Sequence, residues 1–325
     1  GLLDSFQPSC FADLGWEVLD NANVEVIAFT LRHCTQLNLP GWFIDCRQET
    51  DKSSLMRSAV LGNEDVYIIE SRAFLKLPNA AFAYDLPLKI MRVFNTQPTL
   101  RQGGARALQG HAIKMDWYGR LAWEVEPSLI GLDRDWSRMY NGGSYSTYYI
   151  PLIEIVRWNG NGIFLKNHKS TRWSNAAEQQ KPGIGYGKRG DVLDAHLLPD
   201  GFVFTVEGLA VMPPAIQNTW YYLAILNSPT ATKLINFYCG QHKHAGYIDL
   251  LPIPSSNYLN EQLCQDISLL AQRIWEKKRE LDRSNEISPL YCPIYLSSAI
   301  HNVISFITDL LENINREESE VNRLV

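Results

Sequence analysis

Three short stretches carry the residue types that could do chemistry. Arg101-Gln-Gly-Gly-Ala-Arg106 continues through Gly110 and His111 to Lys114; Lys166-Asn-His-Lys-Ser-Thr-Arg-Trp173 and Lys181-Pro-Gly-Ile-Gly-Tyr-Gly-Lys-Arg189 follow. Each combines cations that can pair with phosphates, Asn, Gln or Arg side chains that can pair with base edges, and glycines that let a backbone approach a ligand closely. The chemistry such loops suit is contact with a nucleic acid, although a short charged loop is most often solvated surface.

Other constellations are poorer. Cys239-Gly-Gln-His-Lys-His244 places a thiol and two imidazoles within six residues, but no fourth ligand follows at metal-site spacing, so a polar loop after a helix is expected and no metal. GxSxG, GxxxxGK[ST] and HExxH are absent, and no GxGxxG stands between an expected strand and an expected helix. No catalytic residue is assigned on this basis. An intact small enzyme would have to use His168, His196 or Asp194, and would need them to converge in one pocket.

The elements that must position these loops can be read from pattern. Hydrophobic residues make up 46% of the 325 positions and charged residues 20%, with nine Trp and fifteen Tyr, which implies a folded chain. The net charge of −5 confines any surface for phosphates to a local patch. Six scattered cysteines without a CxxC pair, and no apolar run near bilayer length, point to a cytoplasmic protein with reduced thiols and no membrane partner.

Phe11–Leu19, Asn23–Arg32 and Gly41–Cys46 read as strands, the first two joined by an Asp-Asn-Ala-Asn turn. From Phe74 to Pro254 come short aromatic and β-branched runs, among them 121–125, 148–158, 162–166 and 201–212, with helices expected over 216–226 and 229–239, the second capped by Ser228 and opened by Pro229. Beyond Pro254, Leu263, Ile267, Leu270, Ile274 and Leu281 mark an amphipathic helix of about twenty residues. A second stripe, from Ile300 through Ile307 and Leu310 to Ile314, makes the tail a helical hairpin. The expected fold is α+β: residues 1–73 as the last strands of a larger sheet and a linker, 74–255 as a mixed, strand-rich domain with long loops, and 256–325 as the hairpin.

Several blocks, taken in order, carry a resemblance: Asp13-Leu-Gly-Trp-Glu-Val-Leu19 with Val24–Arg32, Ala81-Phe-Ala-Tyr-Asp-Leu-Pro87, Arg120-Leu-Ala-Trp-Glu-Val125, Asn141-Gly-Gly-Ser-Tyr145, Lys181-Pro-Gly-Ile-Gly185, Leu197–Phe204, Leu223-Ala-Ile-Leu-Asn-Ser228 and Gly246–Pro254. Over about Phe11 to Pro254 the chain resembles the C-terminal half of BREX-type (PglX-like) and type IIG adenine-specific DNA methyltransferases. Two departures stand out. The family's cofactor glycines and its base-gripping polar-Pro-Pro-aromatic loop do not occur here, the lone Pro-Pro being Met212-Pro-Pro-Ala215, and Gly185-Tyr-Gly187 stands where many relatives have Thr-Trp-Ser.

The resemblance implies the DNA-reading portion of an N6-adenine methyltransferase from a restriction-modification or phage-defence system, with residues 1–73 as the last strands of a methyltransferase-type sheet and a linker and 74–255 as the target-recognition domain. Catalytic motifs and the S-adenosylmethionine site would lie in another part of the parent, so this part holds no cofactor and is not active alone. Expected partners are double-stranded DNA and the catalytic half or other defence-system subunits. Arg101, Arg106, Lys114, Lys166, Asn167, His168, Lys169, Arg172, Lys188 and Arg189 are the expected DNA contacts: Lys166, Lys169, Lys188 and Arg189 on phosphates, Asn167, Arg172 and Arg106 at base edges. Trp158, Trp173 and Tyr186 are expected as core or loop anchors rather than stacking platforms. The alternative is a protein-interaction module of a phage-defence complex, which the acidic balance and the hairpin would suit.

Overall fold

The β-rich opening folds into β1 (Phe6–Gly15), β2 (Val26–His33) and β3 (Pro40–Asp45), followed by α1 (Lys52–Val60) and β4 (Tyr67–Glu70). The sheet order is β2-β1-β3-β4, with β1 antiparallel to β2 and parallel to β3. Strand alternation divides its side chains. Phe11 and Phe43 stack on one face with Phe74, Phe82 and Tyr84 against them, while Ala12, Ile44 and Cys46 meet Ala59 of α1 on the other. The computed structural model describes residues 2–34, 39–63, 66–143, 145–169, 171–240, 242–254, 260–292 and 300–325. They form two units that divide between Thr96 and Gln97, so the expected boundary at 73 falls inside the first unit and the helical tail belongs to the second. α2 (Leu88–Thr96) closes the first unit.

The second unit is built on two four-stranded sheets. One has the order β10-β9-β12-β5, from β5 (Arg106–Leu108), β9 (Gly183–Gly187), β10 (His196–Leu198) and β12 (Gly208–Met212); the other has the order β11-β7-β8-β6, from β6 (Gly119–Leu121), β7 (Trp136–Tyr140), β8 (Glu154–Arg157) and β11 (Phe202–Phe204). Tyr140, Phe204, Leu198 and Met212 interlock where the sheets meet. Mixed sheets with segregated helices bear out the α+β expectation. Gln179 takes part in this framework as if it were backbone: its Nε2 donates to the Phe204 carbonyl at 3.1 Å and its Oε1 accepts from the Phe204 N–H at 2.9 Å.

Three local expectations need correction. Ala122–Glu124, within the run at 121–125, form a 3₁₀ turn rather than a strand. Residues 183–187 are a strand with all five positions buried, not an open loop, and glycine is what permits it: a Cβ on Gly185 would lie 2.7 Å from His196 Nε2 and 3.0 Å from Tyr140. Residues 163–166 form one helical turn, α4 (Ile163–Lys166), instead of a strand; the turn drops Leu165 into the core and leaves Ile163 and Phe164 outside. α3 (Met115–Tyr118) is a similar single turn.

The helices follow their capping signals. α5 (Thr219–Asn227) is buried nearly all round, and α6 (Pro229–Asn236) starts with Ser228 Oγ accepting from Ala231 N at 3.1 Å. A single turn, α7 (Ala245–Ile248), precedes α8 (Glu261–Leu281), whose N-cap Asn260 accepts from Leu263 N at 2.7 Å. α8 packs against α5 and α9 (Ile300–Leu324). Lys277 pairs with Glu317 at 2.9 Å, Lys278 with Glu318 at 2.6 Å, and Leu281 lines a hollow with Leu311 and Ile314, so the two helices run antiparallel. Side chains at 300–304 of the expected stripe lie outside the described residues.

The tail braces the segment after β7. Lys278 Nζ also reaches Thr147 Oγ1 at 2.8 Å, and Asp282, 9% exposed, accepts from the Tyr149 hydroxyl at 2.6 Å, from Asn285 Nδ2 at 3.1 Å and from the Ser288 hydroxyl. Asp282→Ala strands these donors, and the expected result is a loss of about 2 kcal/mol in urea unfolding, against about 1 kcal/mol for Tyr149→Phe. Equal stability of Asp282→Ala and the parent chain would remove the brace.

Candidate nucleic-acid interface

The ten sequence-selected residues separate into two groups. Arg106 Nη2 lies 2.6 Å from Glu178 Oε1, and Arg101 lies 3.7 Å from Asp249. Lys188, only 15% exposed at its side chain, pairs with Glu207 at 2.9 Å, and the exposed Arg189 reaches the same carboxylate at 3.4 Å. The Glu178 carboxyl is held below its usual range chiefly by the Arg106 hydrogen bond and then by Lys181. Each of these four cations thus has a carboxylate partner, Lys188 and Arg189 sharing one.

Lys114, Lys166, Asn167, His168, Lys169 and Arg172 form the second group. The 111–118 and 166–173 segments are joined by a bridge in which Ala112 N donates to the Arg172 carbonyl at 3.0 Å. Below them lies an aromatic stack. His111 is sandwiched with Trp173 at 3.7 Å between centroids, and Trp158 follows at 5.5 Å from Trp173. Leu165, Trp158, Val156 and Tyr118 form the core under α3 and α4. Trp158 is thus buried, and the half-buried Trp173 is a loop anchor.

Gly162 makes this floor possible. It caps α4 at φ +70°, and a Cβ there would stand 2.6 Å from Trp173 Cη2 and 3.0 Å from Trp158 Cζ3. His111 has no exposed surface, accepts from Ser174 N at Nδ1 (2.9 Å), and is pushed down to about 4 by burial. Because Nδ1 accepts, its proton belongs on Nε2, which has no partner among the described residues. The stack is therefore neutral at physiological pH.

Around the floor stand Lys114, Lys166, Lys169 and Arg172, all exposed and making no ion pair with a described carboxylate. Three further residues belong to this surface and escaped the sequence reading. Trp117 is 65% exposed and packs edge-on against His168 at 5.1 Å; Phe164 is 52% exposed and packs edge-on against Tyr118 at 5.5 Å; Arg157 sits over the Phe164 ring at 5.5 Å. Lys114-Met-Asp-Trp-Tyr118 does place an aromatic beside a cation in sequence, but its exposure is set by which ring, Trp117 or Tyr118, turns into the core.

No family model and no curated protein matches the chain. Among solved structures, it is similar to the Type IIL restriction-modification enzyme MmeI in complex with DNA, with 10% identity and a TM-score of 0.44 over 98% of this chain and 45% of that one. The chain spans less than half the length of that enzyme.

Other sites offer less chemistry. His196 and Asp194 do not meet His168: His168 lies beside Trp117, whereas His196 is fully buried with Nδ1 3.0 Å from the Asp194 carbonyl. Burial pushes His196 down to about 4 and Asp194 up to about 6, the latter partly offset by the Gly187 N–H that its carboxylate accepts at 2.9 Å. A groove of about 1040 Å³ between α5 and α8, lined by Tyr221, Tyr222, Pro254 and Cys264 among others, carries none of the sequence-selected residues. Among the described residues no cluster of His, Cys, Asp and Glu could hold a metal, and no helix is long and apolar enough to cross a membrane. Met212, ahead of the lone Pro-Pro, is in the core.

Proposed function

We propose that this chain is a DNA-reading portion of an adenine-specific DNA methyltransferase of the restriction-modification or phage-defence kind, and that it binds duplex DNA through the surface around Trp117. One observation carries the reading: in a chain of net charge −5, Lys114, Arg157, Lys166, Lys169 and Arg172 gather without carboxylate partners among the described residues, while the cations elsewhere in the sequence-selected set are paired. Unpaired cations beside polar Asn167 and His168 can neutralise phosphates while leaving side chains to reach base edges. Methyl transfer would be the work of a cofactor-binding part of the parent, supplied with S-adenosylmethionine.

The test is binding of the purified chain to a pool of short duplexes across a salt series. Each phosphate neutralised contributes about −0.9 to the slope of log affinity against log salt. Replacing Lys166, Lys169 and Arg172 together by Ala is expected to flatten that slope by about 2 to 3 and to weaken binding at low salt at least about tenfold. Lys188→Ala, which removes a cation already paired with Glu207, should leave the slope unchanged. Absence of salt-sensitive binding would turn the assignment toward a protein-interaction module.

A further inference from the structure

Resting on that reading, we propose that Trp117 and Phe164 are stacking wedges, so that this surface prefers duplex DNA in which a base has left the stack. Phosphate and groove contacts alone call for cations and hydrogen-bonding groups, not for large rings. Yet Trp117 and Phe164 are 65% and 52% exposed and both pack edge-on against Tyr118, with Ile163, the neighbour of Phe164 in α4, 60% exposed. A lone exposed apolar residue needs no explanation, but three adjoining ones form a patch that binding must cover.

In nucleic acid the apolar surface large enough to cover an indole is the face of a base, and in a duplex that face is open only where stacking is broken. The geometry favours such a contact. Edge-on packing against His168 at 76° and Tyr118 at 62° holds the Trp117 ring in place without covering it. Arg157 over Phe164, with Lys114 and Lys166 beside the two rings, puts cations where the flanking phosphates of a displaced nucleotide would run. The rings are thus already ordered before DNA arrives, which lowers the entropy cost of stacking.

The experiment compares an intact short duplex with the same duplex carrying one unpaired fluorescent adenine analogue, for the parent chain, Trp117→Ala, Trp117→Phe and Phe164→Ala. Both rings are largely exposed, so the variants are expected to keep the parent's thermal midpoint. The expected result is about tenfold tighter binding of the bulged duplex, quenching of the analogue on binding, loss of both in Trp117→Ala, partial rescue in Trp117→Phe, and an unchanged salt slope throughout. Equal affinity for the two duplexes, or a preference that survives both alanine variants, overturns the wedge while leaving duplex binding in place. No binding to either DNA overturns this inference together with the function on which it rests, and makes the patch a protein contact.

Discussion

Acidification from pH 7 to pH 4 is expected to destabilise the second unit by roughly 3 kcal/mol, and an Asp194→Asn variant by roughly twice as much. His111 and His196 are both fully buried and depressed to about 4, whereas an unfolded histidine titrates near 6.5. A group depressed in the folded state contributes stability that is whole above 6.5 and is lost as pH falls through the folded value, here roughly 3 kcal/mol for each ring. Asp194 acts in the opposite sense. Its folded value of about 6 lies above the unfolded carboxylate's, so it contributes stability that is whole below about 3.9 and is lost as pH rises through 6.

Over the 6.5 to 4 window Asp194 therefore offsets about one of the two histidines. Asn at 194 keeps an oxygen for the Gly187 N–H but cannot ionise. That variant should be more stable than the parent at pH 7 and fall more steeply on acidification. Urea unfolding at four pH values reads both; a pH-independent difference between the two proteins would contradict the assignment. Asp45 and Glu178, held low by Arg47 and Arg106 respectively, give up their contributions only below about pH 4.5 and do not enter most of this window. Protonated His111 would face the Ser174 N–H with a second donor, so DNA binding should weaken at low pH although the surrounding lysines and arginines keep their full charge.

Gly162→Ala is expected to cost about 2 to 4 kcal/mol and to weaken DNA binding with it. The left-handed backbone alone costs an L residue about 1 kcal/mol. The rest comes from a methyl 2.6 Å from Trp173 and 3.0 Å from Trp158, because two stacked indoles under a folded turn cannot part without opening the core. Gly160→Ala is the matched control: its φ is +62°, but the neighbour its Cβ meets, at 3.2 Å, is the end of the exposed Ile163 side chain. It should lose only the backbone share, about 1 kcal/mol. The two variants distinguish packing from conformation by urea unfolding, and tryptophan fluorescence reports whether the stack has moved. Equal losses would mean that the indoles yield freely.

Much of the architecture was readable because its signals are local. Ser228-Pro229 announced a helix start that the cap then uses, the apolar spacing from Leu263 to Leu281 marked α8, and the first three strands have the alternation of a two-sided sheet. What could not be read is long-range. Arg106 and Glu178 are 72 positions apart, and nothing in Arg101–Arg106 or Lys181–Arg189 discloses which cations meet a carboxylate once folded. The buried strand at 183–187 looked like a loop because its three glycines are turn formers in isolation; only Tyr140, His196 and Asp194, brought against them by other strands, make small residues a packing requirement. For the candidate surface, the basic and polar residues of 166–173 and Lys114 stand out in the sequence, but Trp117 and Phe164 depend on one-turn helices whose orientation is decided by Leu165 and Tyr118 seeking the core, and Arg157 on the end of β8.

The amide of Gln179, clipped to both backbone groups of Phe204, gives the chain a fixed anchor just after the stretch that carries Lys166, Lys169 and Arg172. At the other end, Trp158 N is tied to the Asp135 carbonyl at 2.7 Å. The described residues of 159–178 are thus a cassette held at both ends by contacts to the sheet, with Leu165 sunk in the core and Gly162 and Trp173 packed beside it. Among the described residues no strand lies between β8 and β9, so the register of both sheets is set by residues outside the cassette.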